Sequence, residues 1–450
     1  MTLRAAALAL VLALVGCASS ATEVPGTATA VATATIAAST GTAGTSSSSS
    51  AASLAPERVA GWRSDLEGLL ATMEGIHPDL YHDAPKAELQ GLVDDLKGKV
   101  ATATDDELMV GVTRIVARVS AKGRDSHTGL FPWNPSSSFP LHSLPLRLWV
   151  FPDGVHVIAA LAPHVDLVGA RLDTIAGRPI AELIRAIDPL VPRDNEATVR
   201  LLTPRFLLLP EVLHGLGLLD GVGPMPLGVT DATGAARTVT VGPIPMTDYN
   251  AWAGGYGLFL PADAKVLYLS RMEEPLWWTR LADGTLFVQY NRVEFLEPAL
   301  LRDLVAAATA ANVKRVVVDI RHNYGGEVRD LTPVVDALDT PKVDQPGRLF
   351  LITGRNTYSA ACLFAAELQA RAGVTIVGEP MGGSPNLWGD PDDIDLPWSG
   401  LAIGVSTMFE LATTMDDVRL TIDPDLAVPL TFTDWAAGRD PALEKIRARP

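Results

Sequence analysis

From about Asp248 onward the chain alternates short apolar strands with helices, and this alternation constrains the fold more than any other feature. Thr285–Tyr290 reads as a strand, Pro298 opens a helix running to about Ala311, and Val313–Ile320 is an apolar run of the buried type. Arg348–Thr353, a helix from about Ser359, and Val374–Val377 continue the series. Strands separated by single helices pair in parallel through crossovers, so βαβ units are expected. Upstream the texture differs twice. Val59, Trp62, Leu66, Leu69, Met73 and Ile76 share one helical face before Pro78, and Leu89, Leu92, Val93, Leu96 and Val100 repeat the pattern. Thr104-Asp105-Asp106-Glu107 is a capping box ahead of Leu108, Val112, Ile115 and Val119. Between about Leu144 and Val241 come short strands and turns, with Asp153-Gly154 as a hairpin signal between Leu146–Val150 and Val155–Ala159. The expected class is a multidomain α+β / α/β chain. It would comprise an N-terminal helical bundle over 57–135, a β-rich domain over 136–246 and a βαβ core over 247–450.

Composition removes several functions. The 36 basic and 52 acidic residues leave a net charge of −16 with no basic run, which repels phosphate backbones and excludes a nucleic-acid partner. With 48 % hydrophobic and 20 % charged residues the chain can bury a sizeable core. Two cysteines, Cys17 and Cys362, make neither a disulfide scaffold nor a cysteine-built zinc site. The eight histidines are scattered, without His-Glu-x-x-His, and no dinucleotide or phosphate-loop glycine pattern occurs. No metal and no cofactor are therefore expected.

The first 17 residues have another character. Arg4 precedes an apolar stretch from Ala5 to Gly16, too short to cross roughly 30 Å of hydrocarbon and proportioned like a secretory signal. Its end, Leu14-Val15-Gly16-Cys17, resembles a bacterial lipobox. That resemblance implies cleavage before Cys17, acylation of its sulfur with palmitate-type chains, and a folded part held outside the cytoplasm on a bacterial membrane. Between Ala18 and Pro56 the sole charge is Glu23 and the rest is mostly Ala, Thr, Ser and Gly, so 18–56 reads as a flexible tether.

Two stretches carry chemistry. Val318-Asp319-Ile320-Arg321-His322-Asn323-Tyr324-Gly325-Gly326 is a strand running into a glycine pair, where the backbone can turn tightly and expose N–H groups. Taken alone it is also a plain strand-to-helix turn. In Leu351-Ile352-Thr353-Gly354-Arg355-Asn356-Thr357-Tyr358-Ser359-Ala360-Ala361, Ser359 falls where a strand ends and a helix begins. Its hydroxyl would meet the positive end of that helix, and small Ala360 and Ala361 admit a carbonyl. A serine there also serves commonly as an N-cap.

Together these segments resemble the tail-specific (C-terminal-processing) serine peptidases, whose core runs "D-[LI]-R-x-N-x-G-G", "[LI]-T-x-x-x-[ST]-x-S-A-A", then "V-G-E" and a glycine turn. Asp319–Gly326, Ile352–Ala361 and Val377–Gly383 match in that order, followed by Ile422-Asp423-Pro424-Asp425 and Gly438–Glu444. The resemblance covers roughly 57–447 and implies a ClpP/crotonase-like peptidase core acting on protein or peptide substrates. It implies Ser359 as nucleophile, with an oxyanion hole from the N–H groups of Gly325 or Gly326 and of Ala360. Leu167–Ile180 resembles the glycine–strand–helix segment of PDZ-like domains, without a clear carboxylate-binding loop. Many relatives use a lysine near the Gly-Glu dipeptide, but here Pro380 follows it and no lysine appears after Ser359 until Lys445. Branches resembling the tricorn core use a histidine in "D-x-H-[TS]", which Asp125-Ser126-His127-Thr128 supplies, so His127 is the expected base. The orienting acid of those branches lies beyond the nucleophile. Asp417 is preferred because it abuts an expected strand, Val418–Ile422, with Asp416, Glu410 and Glu379 as alternatives. Such an acid would move the His127 titration upward from about 6.5. Competing functions are a non-catalytic ligand- or peptide-binding lipoprotein on the same scaffold, for which Leu276-Trp277-Trp278 could line a groove, and an envelope amidase or esterase.

Overall fold

The computed structural model describes residues 55–254 and 257–449; the signal segment, Cys17 and the tether up to residue 54 lie outside them. The described part falls within one compact unit. Its centre is a six-stranded sheet in the order Leu426–Ala427, Thr375–Gly378, Leu349–Thr353, Arg315–Asp319, Thr285–Tyr290, Leu276–Arg280. All neighbours are parallel except the last pair. The two middle strands are buried on both faces, as parallel strands covered by crossover helices must be. Val316, Val318, Leu349 and Leu351 face one core, while Val317, Phe350 and Ile352 face another beneath Leu443 and Ile446 of the terminal helix. In register, Asp319 lies opposite Ile352 and Thr353 opposite Gly378. The loops leaving these strands therefore emerge side by side at one edge of the sheet. That edge is where open α/β sheets hold ligands.

The three N-terminal helices form as expected, at Pro56–Glu74, Lys86–Lys99 and Asp105–Ala117. The capping box is complete: Glu107 N–H donates to Thr104 Oγ1 at 3.2 Å and Thr104 N–H to Glu107 Oε2 at 2.7 Å. The β-rich region contains an antiparallel sheet running from Leu146–Phe151 to Ala236–Val241. It is also interrupted by the helices Ile180–Ile187, Glu196–Leu207 and Pro210–Gly215, of which the last two were not expected. Val199, Leu201, Leu202, Phe206 and Leu207 are buried around most of the Glu196–Leu207 helix, so no amphipathic period marks it.

Two features of the late chain differ from expectation. Asn386–Asp395 and Ala402–Leu411 form a long antiparallel hairpin. Its second strand meets the segment carrying His127, where Gly129 and Gly404 exchange main-chain bonds of 3.0 Å. Its tip docks on the first helix: Asp65 accepts the N–H groups of Trp398 at 3.0 Å and Ser399 at 2.8 Å. The Trp398 ring lies over Gly61, where a Cβ would come within 1.9 Å of it. By contrast, Val418–Ile422 is not a strand. The Leu420 carbonyl accepts from the side chains of Asn195 and Ser384 rather than from a neighbouring strand. Among the described residues no helix is long and apolar enough to cross a membrane.

Candidate active site

Ser359 occupies the N-cap position of the helix Ala360–Arg371 but does not cap it. Its φ of 51° and ψ of −132° place a non-glycine residue in a region that costs about 1–3 kcal/mol, and its hydroxyl has no hydrogen-bond partner among the described residues. A cap would have supplied a local reason for serine, and the structure removes it. The strain is held by the neighbouring loop. Tyr358 N–H donates to the Asn323 carbonyl at 3.1 Å, and Thr357 Oγ1 donates to the Ile320 carbonyl at 2.9 Å. Gly325, at φ +100°, lies so close that a Cβ on it would be 2.6 Å from Ser359 Cβ. Gly326, at φ +139°, would place its Cβ 1.9 Å from the Val293 carbonyl oxygen. Only glycine fits either position.

Of the three main-chain donors implied for an oxyanion hole, Gly325 is committed: its N–H donates to Asn323 Oδ1 at 2.9 Å. Ala360, first in its helix, has no intrahelical acceptor for its N–H. Gly326 N–H likewise has no acceptor among the described residues. The available pair is Gly326 and Ala360.

His127 is brought to the same place by aromatic packing. Its ring stacks on Tyr358, the residue before Ser359, with centroids 4.8 Å apart. Tyr358 stacks in turn on Tyr324, the residue before Gly325, also at 4.8 Å. Three rings thus tie the histidine, serine and glycine segments together, at about 0.5–1.5 kcal/mol per pair. Nδ1 of His127 is buried without a partner among the described residues, and the residue as a whole is 8 % exposed. Burial lowers its pKa from the ordinary imidazole value. The charges of Asp194 and Asp125, the Trp388 carbonyl and the charge of Asp390 oppose the shift without reversing it. The titration thus moves down, opposite to the expectation from an acid partner, because desolvation outweighs attraction.

The carboxylates that act on His127 are Asp194 and Asp125 rather than any late acid. Asp194 is fully buried; its Oδ1 accepts both the N–H and the hydroxyl of Ser126 at 2.7 Å, and its Oδ2 accepts Ser384 N–H at 2.9 Å. The Ser126 hydroxyl also lies 2.6 Å from the Tyr358 hydroxyl. Burial raises the Asp194 carboxyl, against the pull of His127 and these donors. Asp125 accepts from Ser406 Oγ at 2.7 Å, Thr128 N–H at 3.2 Å and His77 Nε2 at 3.1 Å. His77, His82 and Asp125 bring possible ligand atoms within 4.8 Å of one another. However, Asp79 N–H donates to His77 Nδ1 at 3.0 Å, which holds the ring proton on Nε2, the atom a metal would need. The trio orients the loop that carries His127.

Asp417 is the correction. It is spent on Arg419, two residues on, at 2.7 Å, and on Thr413 Oγ1 at 2.9 Å. Its hydrogen bonds to Arg419 hold its carboxyl well below the usual range. Glu379 is likewise paired with Arg355 at 3.1 Å, and neither Glu410 nor Asp416 is among the groups acting on His127. Two other buried groups near the site are structural. Cys362 is buried, its thiol pushed far up by burial and donating to the Thr357 carbonyl at 3.1 Å. His322 is buried and pushed down to about 3 by burial and by Arg321 and Arg147. Asp125 was within sight in the Asp-x-His segment, whereas Asp194 carried only the mark of a helix start, the Asn195–Thr198 capping box.

A strained serine at a helix start, a glycine loop against it and a buried histidine stacked on the residue before it define a fold that presents a potential nucleophile at the end of a parallel sheet. Solved structures share this fold. Mature CPAF complexed with lactacystin superposes at a TM-score of 0.57 and 12 % identity, covering 87 % of this chain and 97 % of that one. Mature CPAF gives 0.56 and 14 %, covering 87 % and 96 %. The photosystem II D1 C-terminal processing protease lies further off at 0.35 and 14 %, covering 83 % and 94 %. At these identities the likeness concerns the fold. No protein-family model and no curated protein matches the sequence.

Proposed function

We propose that the protein is an exported, lipid-anchored serine peptidase that hydrolyses peptide bonds in cell-envelope or extracellular proteins through an acyl-enzyme at Ser359. Ser359 Oγ attacks the scissile carbonyl while the neutral His127 ring takes its proton. The developing oxyanion is held by the N–H groups of Gly326 and Ala360, and the imidazolium returns the proton to the leaving amine. Water then enters by the same route and releases the acid. Asp194 favours the transient imidazolium through its charge and fixes the histidine segment through Ser126. The observation that carries this reading is Ser359 itself, held in strained backbone against Gly325 with no local bond to explain it. The anchor rests on Leu14–Cys17 alone. The test is incubation of the protein with an unstructured protein substrate. Cleavage by wild type and none by a folded Ser359→Ala variant is expected; undiminished cleavage by that variant would sink the assignment.

A further inference from the structure

A cavity of about 280 Å³ opens beside the candidate site, walled by Phe131, Trp133, Leu202, Leu258 and Tyr324, with Asp393 at its rim. Its position follows from elements already placed. Phe131 and Trp133 continue the segment that carries His127, Tyr324 precedes Gly325, and Asp393 belongs to the late hairpin. One of its walls, Tyr324, stacks on Tyr358, the residue that leads into Ser359. Its volume is sufficient for one large side chain.

The lining selects that side chain. Among the described residues that line it, three are aromatic and the one charged group is the Asp393 carboxylate. Among the described residues, Asp393 takes neutral donors alone on its side chain, Asn134 Nδ2 and Ser136 Oγ, each 3.2 Å from Oδ2. The nearby cation Arg205 is buried over Trp133 and Tyr249, at 5.1 and 4.0 Å, and does not line the cavity. Over the whole hairpin, Asn386 to Leu411, the charged residues are Asp390, Asp392, Asp393, Asp395 and Glu410, with no lysine, arginine or histidine. An acidic substrate side chain would be repelled here, and a purely apolar one would leave the carboxylate with neutral donors and no counter-charge. A long aliphatic stem with a cationic end suits both the aromatic walls and the carboxylate.

We infer that this cavity receives the side chain of a lysine or arginine flanking the scissile bond, with Asp393 as its counter-charge. The inference rests on Ser359 being the nucleophile of a peptidase and adds the class of residue selected. Two measurements test it. In the first, wild type digests a peptide library and the cleavage sites are read by mass spectrometry. Lysine and arginine should be enriched about tenfold at one position flanking the cut. Asp393→Asn should lose the enrichment, Asp393→Lys should shift it toward Asp and Glu, and Asp395→Asn, on the same strand outside the cavity, should retain it. In the second, calorimetry compares Ser359→Ala binding of peptides identical except for Lys, Leu or Glu at that position. The lysine peptide should bind tightest, in a manner abolished by adding Asp393→Asn. Cleavage without basic preference, or an aromatic preference indifferent to Asp393, overturns the inference while leaving the peptidase reading intact. Asp393-dependent binding of the lysine peptide without any cleavage by wild type upholds the pocket and removes the peptidase reading. Failure of both measurements removes both.

Discussion

His322 offers a quantitative test of how the glycine loop is held. It lies between the strand end at Asp319 and the Gly325-Gly326 pair, buried to 5 % exposure. Asn356 Nδ2 faces its Nδ1 at 3.2 Å, which leaves the ring proton on Nε2, a buried atom with no partner among the described residues. Burial first, then the positive charges of Arg321 and Arg147, push its pKa down to about 3. In the unfolded chain it titrates near 6.5. A folded pKa depressed in this way means that, as the pH falls below about 6.5, the unfolded chain gains a proton the native state refuses. The stability contribution is therefore full above that pH and is lost progressively toward pH 3. At about 1.36 kcal/mol per unit, the native state should lose about 2 kcal/mol from this residue between pH 8 and pH 5, and about 4 kcal/mol by pH 3. The perturbation is His322→Leu, which removes the titration while Asn356 Nδ2 keeps the Leu258 carbonyl at 3.2 Å. Denaturant unfolding of both proteins at pH 8 and pH 5 gives four free energies. The fixed cost of the substitution and the contributions of other titrating groups cancel in the double difference. That difference should be about 2 kcal/mol, with wild type the more pH-sensitive. A double difference under about 0.5 kcal/mol would refute the claim that the ring is held neutral in this loop.

Three further outcomes are expected. Because burial depresses His127, cleavage of a small peptide should rise with pH through a group titrating below about 6.5 and stay on its plateau through neutrality; a midpoint above about 7 would contradict the direction. Asp194→Asn should lower kcat by about 10²–10⁴ with little change in KM, whereas Asp417→Asn should leave kcat within about twofold; the reverse ranking would restore the late acid. Cys17→Ser should release the protein from membranes or leave it unprocessed, and intact-mass analysis showing a mature wild-type N-terminus without acyl chains would reject the anchor.

The parts that the sequence made legible are those whose causes are local. The strands Arg315–Asp319 and Leu349–Thr353 are apolar runs long enough only for buried strands, and Gly325 and Gly326 mark backbone that side chains cannot adopt. Asp194 was not legible because its partners lie far along the chain, Ser126 at 68 residues and Ser384 at 190. A carboxylate so placed leaves no periodic trace. The hairpin was equally hidden. Its first strand carries Gly389, Pro391 and four aspartates with mostly exposed side chains, which defeats both strand propensity and alternation. Asp417 misled for the opposite reason. Val418, Leu420 and Ile422 alternate with Arg419 and Thr421 as a strand would, yet Val418 is 68 % exposed and no strand pairs there. The pattern was present without a partner to make it a sheet.

These distances in sequence also explain why the candidate site needs the whole described unit. The parallel sheet alone brings Ser359 against Gly325, since both loops leave adjacent strands. The histidine comes from outside that sheet, and its segment is linked to the nucleophile loop by the Ser126–Tyr358 contact across 232 residues. What holds the histidine segment is a chain of contacts through the hairpin. Asp65 on the first helix fixes the hairpin tip, Gly404 pairs with Gly129, and Ser406 bonds Asp125 two residues before His127. The proposed base, whose neutral form is favoured by burial, depends on that enclosure twice, for its position and for its protonation state. Loosening the hairpin would let water reach the ring, raise its pKa toward the ordinary imidazole value and move it from Tyr358 together. Docking of the hairpin onto the first helix therefore supports the enclosure in which the proposed base sits.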